Sequence, residues 1–332
     1  MTETELLDAP PAEQGSLPGA VEQGSLPGQV EQGPLPLVAG SALPLAILGS
    51  LSPSRAADFK TCPLLYRFRS IDRLPETPSR AATRGTVVHA VLEHLFDLPA
   101  GQRTVEQAQA DVLPSWQQLL EAHPELAQLF DDDEQGIELT GWLESARELV
   151  KNYFALEDPR RLEPAAREEL VEVVLDGLRL RGYVDRLDVS PAGDLRVVDY
   201  KTGSIPREAF EARALFQMKF YALVLWRTRG VVPRQLRLIY LADTDTLSYQ
   251  PEAEELARFE GTLQAIWKAI AAASLTGDFR PSPSKLCDWC CHQHLCPAKG
   301  GTPPPFPFDA LAELTSDRRP GTTAGTESVG DA

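Results

Sequence analysis

Two runs rich in β-branched and aromatic residues, Leu178–Val189 and Asp194–Lys201, are separated by Ser190-Pro191-Ala192-Gly193. Proline followed two residues later by glycine is strong turn chemistry, so the runs predict an antiparallel hairpin. A turn symmetric about Ala192 sets Val189 opposite Leu195 and, in the same register, Asp185 opposite Asp199. Like charges facing each other weaken a sheet, so a buried pair of this kind calls for a cation. Side chains at i and i+2 share a strand face, which places Lys201 beside Asp199. Two acids and one ammonium then occupy one patch. Mg2+ or Mn2+ suits such oxygen donors. A divalent ion there can activate water and polarise a phosphate. The competing reading is a solvated hairpin with ordinary surface charges.

The neighbouring segments add candidates. A helix over about Arg80–Leu98 carries His89, with Glu93 one turn on and on the same face. A helix over roughly 210–229 carries Gln217 and Tyr221 at i and i+4, again on one face. Strands are expected at 168–176, 178–189, 194–201 and 235–242, and a long amphipathic helix from about Pro251 to Leu275. A helix capped by Ser52 is expected to run to about Arg69. Helices before, between and after the strands predict an α/β or α+β chain with a central mixed sheet.

The five cysteines, Cys62, Cys287, Cys290, Cys291 and Cys296, are too few for a disulfide framework, and four cluster near the C-terminus. This suits metal ligation in a reducing cytoplasm better than secretion. Cys62, Cys287, Cys290 and Cys296 can supply the four thiolates of an iron–sulfur cluster or of a structural zinc site, while Cys291 and His292 or His294 leave other ligand sets open. Either would tie the start of the domain to its end.

The net charge of −16 argues against a uniformly basic nucleic-acid binder. Its distribution is uneven: residues 1–46 hold six acids and no lysine or arginine. Between Arg55 and Arg84, seven basic residues face three acids, a stretch that can track phosphates or form a solvated helix face. The N-terminus repeats Glu-Gln-Gly-Ser-Leu-Pro-Gly from Glu13 and again from Glu22. Residues 1–46 and 301–332 are expected to be low-complexity, disordered tails. The apolar run Leu35–Leu51 is interrupted by proline and glycine and is not expected to span a membrane.

The ordered series Gly85-x3-His89, Gly182-x2-Asp185, Asp199-x-Lys201-Thr202-Gly203 and Gln217-x3-Tyr221 resembles the PD-(D/E)xK nucleases of the RecB type. The cysteines resemble those of its iron–sulfur subgroup, which includes AddB-type nuclease domains and CRISPR-associated RecB-like exonucleases. The resemblance covers about residues 50–300. It implies a restriction-endonuclease-like α/β core over 47–300 with an iron–sulfur clasp; residues 104–158, which read as helical with acidic breaks, have no counterpart in it and are expected to be a helical insertion. It makes His89, Asp185, Asp199 and the Tyr200 carbonyl ligands of Mg2+ or Mn2+, Lys201 the catalytic lysine, and Gln217 and Tyr221 its supports. Cys62, Cys287, Cys290 and Cys296 would hold a [4Fe-4S] cluster. The implied activity is a DNA exonuclease acting on single strands or DNA ends in repair, recombination or processing. No G-x4-G-K-[ST] motif occurs in the sequence, so any helicase would be a separate partner. The alternative is a DNA-binding subunit of a helicase–nuclease or other repair assembly with weak or no cleavage.

Overall fold

The computed structural model describes residues 49–133, 135–205 and 208–308, with nothing said of the side chains of 208–213. The repeated N-terminal segment and residues 309–332 lie outside the described residues. A five-stranded sheet runs in the order β1 (Ala166–Leu175), β2 (Leu178–Val189), β3 (Leu195–Lys201), β4 (Gln235–Tyr240), β5 (Asp245–Tyr249). Neighbours pair antiparallel except β3 and β4, which are parallel. The parallel pair needs a crossover, and the long helix between them provides it. The mixed sheet flanked by helices matches the expected fold class. β5 escaped the sequence reading: its run Asp245-Thr246-Leu247-Ser248-Tyr249 is short and polar, as suits an edge strand.

The turn at Ser190–Gly193 forms as expected, with Gly193 at φ 87° and its N–H donating to Ser190 O at 2.9 Å. Val189 pairs with Leu195, so the anticipated register holds; pairing ends at Arg186–Val198, one step short of Asp185 and Asp199. The β1–β2 hairpin turns at Asp176-Gly177, both at positive φ, the pattern of a two-residue primed turn.

Helices cover both faces. On one side lie α1 (Pro53–Thr61), α2 (Pro63–Tyr66), α7 (Glu208–Arg229) and α8 (Ala253–Thr276), packed around Leu180, Val184, Leu187, Val197 and Leu238. On the other lie α3 (Arg80–Leu95), α4 (Val105–Ala110), α5 (Val112–Ala122) and α6 (Ile137–Leu156), packed with Val198, Tyr200 and Ile239. The segment expected as a helical insertion thus supplies most of one covering layer.

The single helix expected from Ser52 to Arg69 is broken. Cys62 is extended at φ −160° and ψ 112°, because the residue before a proline is pushed out of the helical region. Pro63 then starts α2, which passes into a π-type turn at Arg67–Ile71. The chain beyond Gly301, assigned to a tail on composition, stays packed at its start. Phe306 stacks on Phe279 with ring centroids 5.8 Å apart, and Pro304 O accepts a hydrogen bond from Arg67.

The basic stretch is largely committed internally. Arg67 pairs with Asp72, Arg69 with Asp58 and Glu76, and Arg80 with Glu138. Arg84 donates to Ser145 and Arg55 to Ser50 O. Most of this stretch ties local structure together. Among the described residues, no helix is long and apolar enough to cross a membrane.

Candidate active site

Where β2 and β3 part, the sheet opens and side chains from both layers converge. Asp199, on β3, is 2 % exposed. Its Oδ2 lies 2.5 Å from Lys201 Nζ, and its Oδ1 accepts from Gln217 Nε2 at 3.0 Å. Gln217 Oε1 accepts from Lys201 Nζ at 2.9 Å, and Nε2 also donates to Tyr221 Oη at 3.1 Å. Both amide donors and the carbonyl oxygen of Gln217 are therefore engaged, which fixes the amide's orientation. A flipped amide would turn its oxygen toward the Asp199 carboxylate.

A second group sits beside the first. His89, from α3, places Nε2 3.0 Å from Tyr200 O and Nδ1 3.4 Å from Asp185 Oδ2. With Nε2–H donating to the carbonyl, the Nδ1 lone pair faces Asp185 and Glu168, the latter 4.0 Å away. Asp185 Oδ2 also accepts from the Tyr200 amide at 2.7 Å. One ligand atom each from His89, Glu168 and Asp185 lies within 4.8 Å of the others.

Glu168 was not anticipated. Several acids crowd the start of β1, and nothing in the local sequence separates Glu168 from Glu169. The backbone does: Glu168 sits at φ 43°, where a non-glycine side chain is strained. Register continuation places Glu168, Asp185 and Asp199 in one row across three strands. The alternation of faces also breaks there, since Val184 and Leu187, three residues apart, enter the same core cluster.

The electrostatics follow from this crowding. Burial, reinforced by the Asp199 charge, pushes Asp185 well above the ordinary carboxylate range. Burial also raises Glu168, with Glu93 and Asp199 adding to it. Burial depresses His89 and favours a neutral, ligand-competent ring. For Lys201, burial opposes the charge, but the bonded Asp199 outweighs it and holds the ammonium above its usual range. Lys201 and Asp199 therefore form an ion pair at the rim of the acid row.

The donor set of one imidazole nitrogen and several carboxylate oxygens fits a divalent ion such as Mg2+ or Mn2+. Asp199 adds a buried carboxylate next to this set, its Oδ2 paired with Lys201. Of the residues singled out in sequence, His89, Asp185 and the Tyr200 carbonyl meet directly. Asp199 meets Lys201 and Gln217 instead, and the Tyr200 carbonyl is occupied by His89.

Beneath Tyr200 lies a buried network that sequence reading also missed. Arg186, with no solvent exposure, donates to Tyr200 Oη at 2.8 Å, Glu157 Oε2 at 2.8 Å and Tyr153 Oη at 3.2 Å. This network braces the residue whose carbonyl and amide orient His89 and Asp185. Gly182 has its own role: a Cβ there would lie 2.8 Å from Tyr221 Cε1, so glycine lets the Tyr221 ring lie against β2.

At the far end of α1, Cys62, Cys287, Cys290 and Cys296 all line a cavity of about 130 Å3. The Ser282 and Ser284 amides point at Cys62 Sγ and Cys287 Sγ, at 3.4 and 3.3 Å. Among the described residues, no three of these thiols come within 4.8 Å of one another.

Acids on three adjacent strands, with a lysine held as a cation beside them, form an arrangement suited to metal-assisted phosphodiester hydrolysis. The sequence profile of the PD-(D/E)XK nuclease superfamily matches residues 50–297. The chain belongs to that superfamily and is a nuclease by family. It is 26 % identical over 267 residues to the Gene 69 protein of Mycobacterium phage D29, covering 74 % of this chain and 96 % of that one. With the Gene 69 protein of Mycobacterium phage L5 it shares 32 % identity over 130 residues, covering 38 % and 42 % respectively. A solved candidate exonuclease from Eubacterium rectale superposes with a TM-score of 0.47 at 16 % identity, covering 74 % of this chain and 89 % of that one.

Proposed function

We propose that this protein is a Mg2+- or Mn2+-dependent DNA exonuclease of the RecB type, acting on single strands or DNA ends. The observation that carries the reading is the Lys201–Asp199–Gln217 network standing beside the His89–Glu168–Asp185 donor group. His89, Glu168, Asp185 and Asp199 would hold the ion, with the second lone pair of the Tyr200 carbonyl as a further donor. When bound, the ion lowers the pKa of water and polarises a phosphate oxygen. Lys201, held as an ammonium, offsets charge that develops on the phosphate. Gln217 keeps Lys201 and Asp199 in register, and Tyr221 anchors Gln217.

The four-cysteine cavity supports the iron–sulfur subgroup. Structural zinc modules bring two C-x2-4-C pairs, whereas Cys62 here is single and distant in sequence, a spacing that favours a [4Fe-4S] cluster. Such a clasp would join α1 to the segment after α8 and contribute to folding.

The working domain on this reading is residues 47–300, in a cytoplasmic protein of DNA repair, recombination or processing, with any helicase supplied by a partner. A cleavage assay on end-labelled DNA with Mn2+ and Mg2+ tests the activity. A protein that binds DNA but cleaves none would instead favour the binding-subunit reading.

A further inference from the structure

Beside the Lys201–Gln217 network lies a cleft of about 440 Å3. Gln217 and Tyr221 line it from α7 and Gly182 from β2, with Ser52 and Ser54 on the opposite wall. The cleft is thus continuous with the site.

Tyr183 stands at its lip, 53 % exposed. Among the described residues, its side chain makes no hydrogen bond or ring contact. A large exposed aromatic without a partner, two residues from Asp185 on the same strand, has no structural role that this packing explains. Across the hairpin it faces Leu170, itself 43 % exposed, so the shelf is apolar on both strands. Two residues further along β2 is Arg181, which makes no ion pair among the described residues; Glu172, opposite it, bonds to Arg179 instead.

The β2 positions 181 and 183 share one face, about 6.7 Å apart along the strand, and lead to Asp185, where the alternation breaks. The three present in order a free guanidinium, an aromatic face and a carboxylate of the proposed metal site. On a chain of net charge −16, an uncommitted arginine next to the site is notable because most nearby arginines are internally paired.

Resting on the nuclease reading above, we propose that β2 is a track for single-stranded DNA. The base next to the scissile phosphate stacks on Tyr183, and the following phosphate meets Arg181. Within a strand a ring reaches a base face only when that base is unpaired and unstacked, so the track selects single strands or frayed ends. Stacking of this kind tolerates any base, because every base has a π-face. The track therefore gives strand selectivity without sequence selectivity.

The test uses the full-length protein and fluorescein-labelled oligothymidylate, with anisotropy read in Ca2+ to suppress turnover. Tyr183→Ala should weaken binding roughly 5- to 100-fold, while Tyr183→Phe binds as the wild type does. An oligonucleotide of abasic residues should bind the wild type more weakly than oligothymidylate, and Tyr183→Ala should no longer distinguish the two. Arg181→Ala should lower the salt dependence by about one phosphate contact. Equal binding of oligothymidylate by Tyr183→Ala and wild type would overturn the track. So would an equal loss on the abasic strand. If these binding effects hold while the wild type cleaves no DNA in Mn2+, the track stands and the nuclease reading fails.

Discussion

Glu168 and Asp185 face each other at the one rung that, among the described residues, is missing from the β1–β2 ladder. Pairing runs from Ala166–Leu187 to Leu175–Leu178 and skips only this position. The skip coincides with the positive φ of Glu168, so the sheet is distorted where its acids accumulate. Acids aligned in one row repel one another, and a cation bound there would relieve that repulsion.

Glu168→Gln tests that idea by separating fold from function. Removing one of two opposed charges should leave the metal-free protein as stable as the wild type or more so, by about 0.2–1 kcal/mol. The same change should weaken Mn2+ binding by tenfold or more. Thermal melts with and without Mn2+ read both effects. A variant that melts lower without metal and gains as much from Mn2+ as the wild type would count against the site.

The buried Arg186–Glu157 pair predicts an acid limb. Burial pushes the Glu157 carboxyl up, but the bonded Arg186, with Arg237 and Arg196, outweighs it and lowers its pKa. The native state therefore binds fewer protons here than the unfolded chain does. The resulting stability is fully present above the ordinary Glu pKa of about 4.3 and is lost as pH falls through the lowered native value. Glu157→Gln should cost about 1–3 kcal/mol at pH 7, because Arg186 is left with Asp188 as its remaining charged partner. The gap from the wild type should narrow in denaturant melts as pH falls from 5 to 3. A gap independent of pH would contradict the assignment.

Gly182→Ala should displace the Tyr221 ring, since the added Cβ meets Cε1 at 2.8 Å. The expected cost is about 1–3 kcal/mol. Turnover should fall as well, because Tyr221 is the anchor of Gln217. Denaturant midpoints and initial rates measure the two losses. Wild-type values for both would show that the contact is idle.

The cysteine clasp is testable by colour. Anaerobically purified protein should carry a brown chromophore that Cys290→Ala loses, while Cys291→Ala keeps it. Colourless wild-type protein with stoichiometric zinc would overturn the cluster.

The parts of the fold legible in sequence were those governed by local chemistry. Pro191 and Gly193 fixed the turn, and with it the register that aligns Asp185 with Asp199. The i, i+4 spacing of Gln217 and Tyr221 placed both on one face. Glu168 was not legible, because its role depends on a strained backbone angle and on which acid of a cluster faces β2. Arg186 and Glu157 were equally hidden: they lie 29 residues apart in sequence and meet only when α6 closes over the sheet. Cys62-Pro63 shows the reverse failure. The local rule that a residue before proline leaves the helix was available, but helical periodicity on either side masked it.

The most direct test is single-turnover cleavage of end-labelled single-stranded DNA in Mn2+, comparing wild type with Lys201→Ala. Lys201 is held as a cation by Asp199, so its removal should cost transition-state charge stabilisation. The rate should fall by about 10²–10³, with DNA binding within a few-fold of the wild type. Chelation of the metal should stop both proteins. Undiminished cleavage by Lys201→Ala would contradict the assignment of this site.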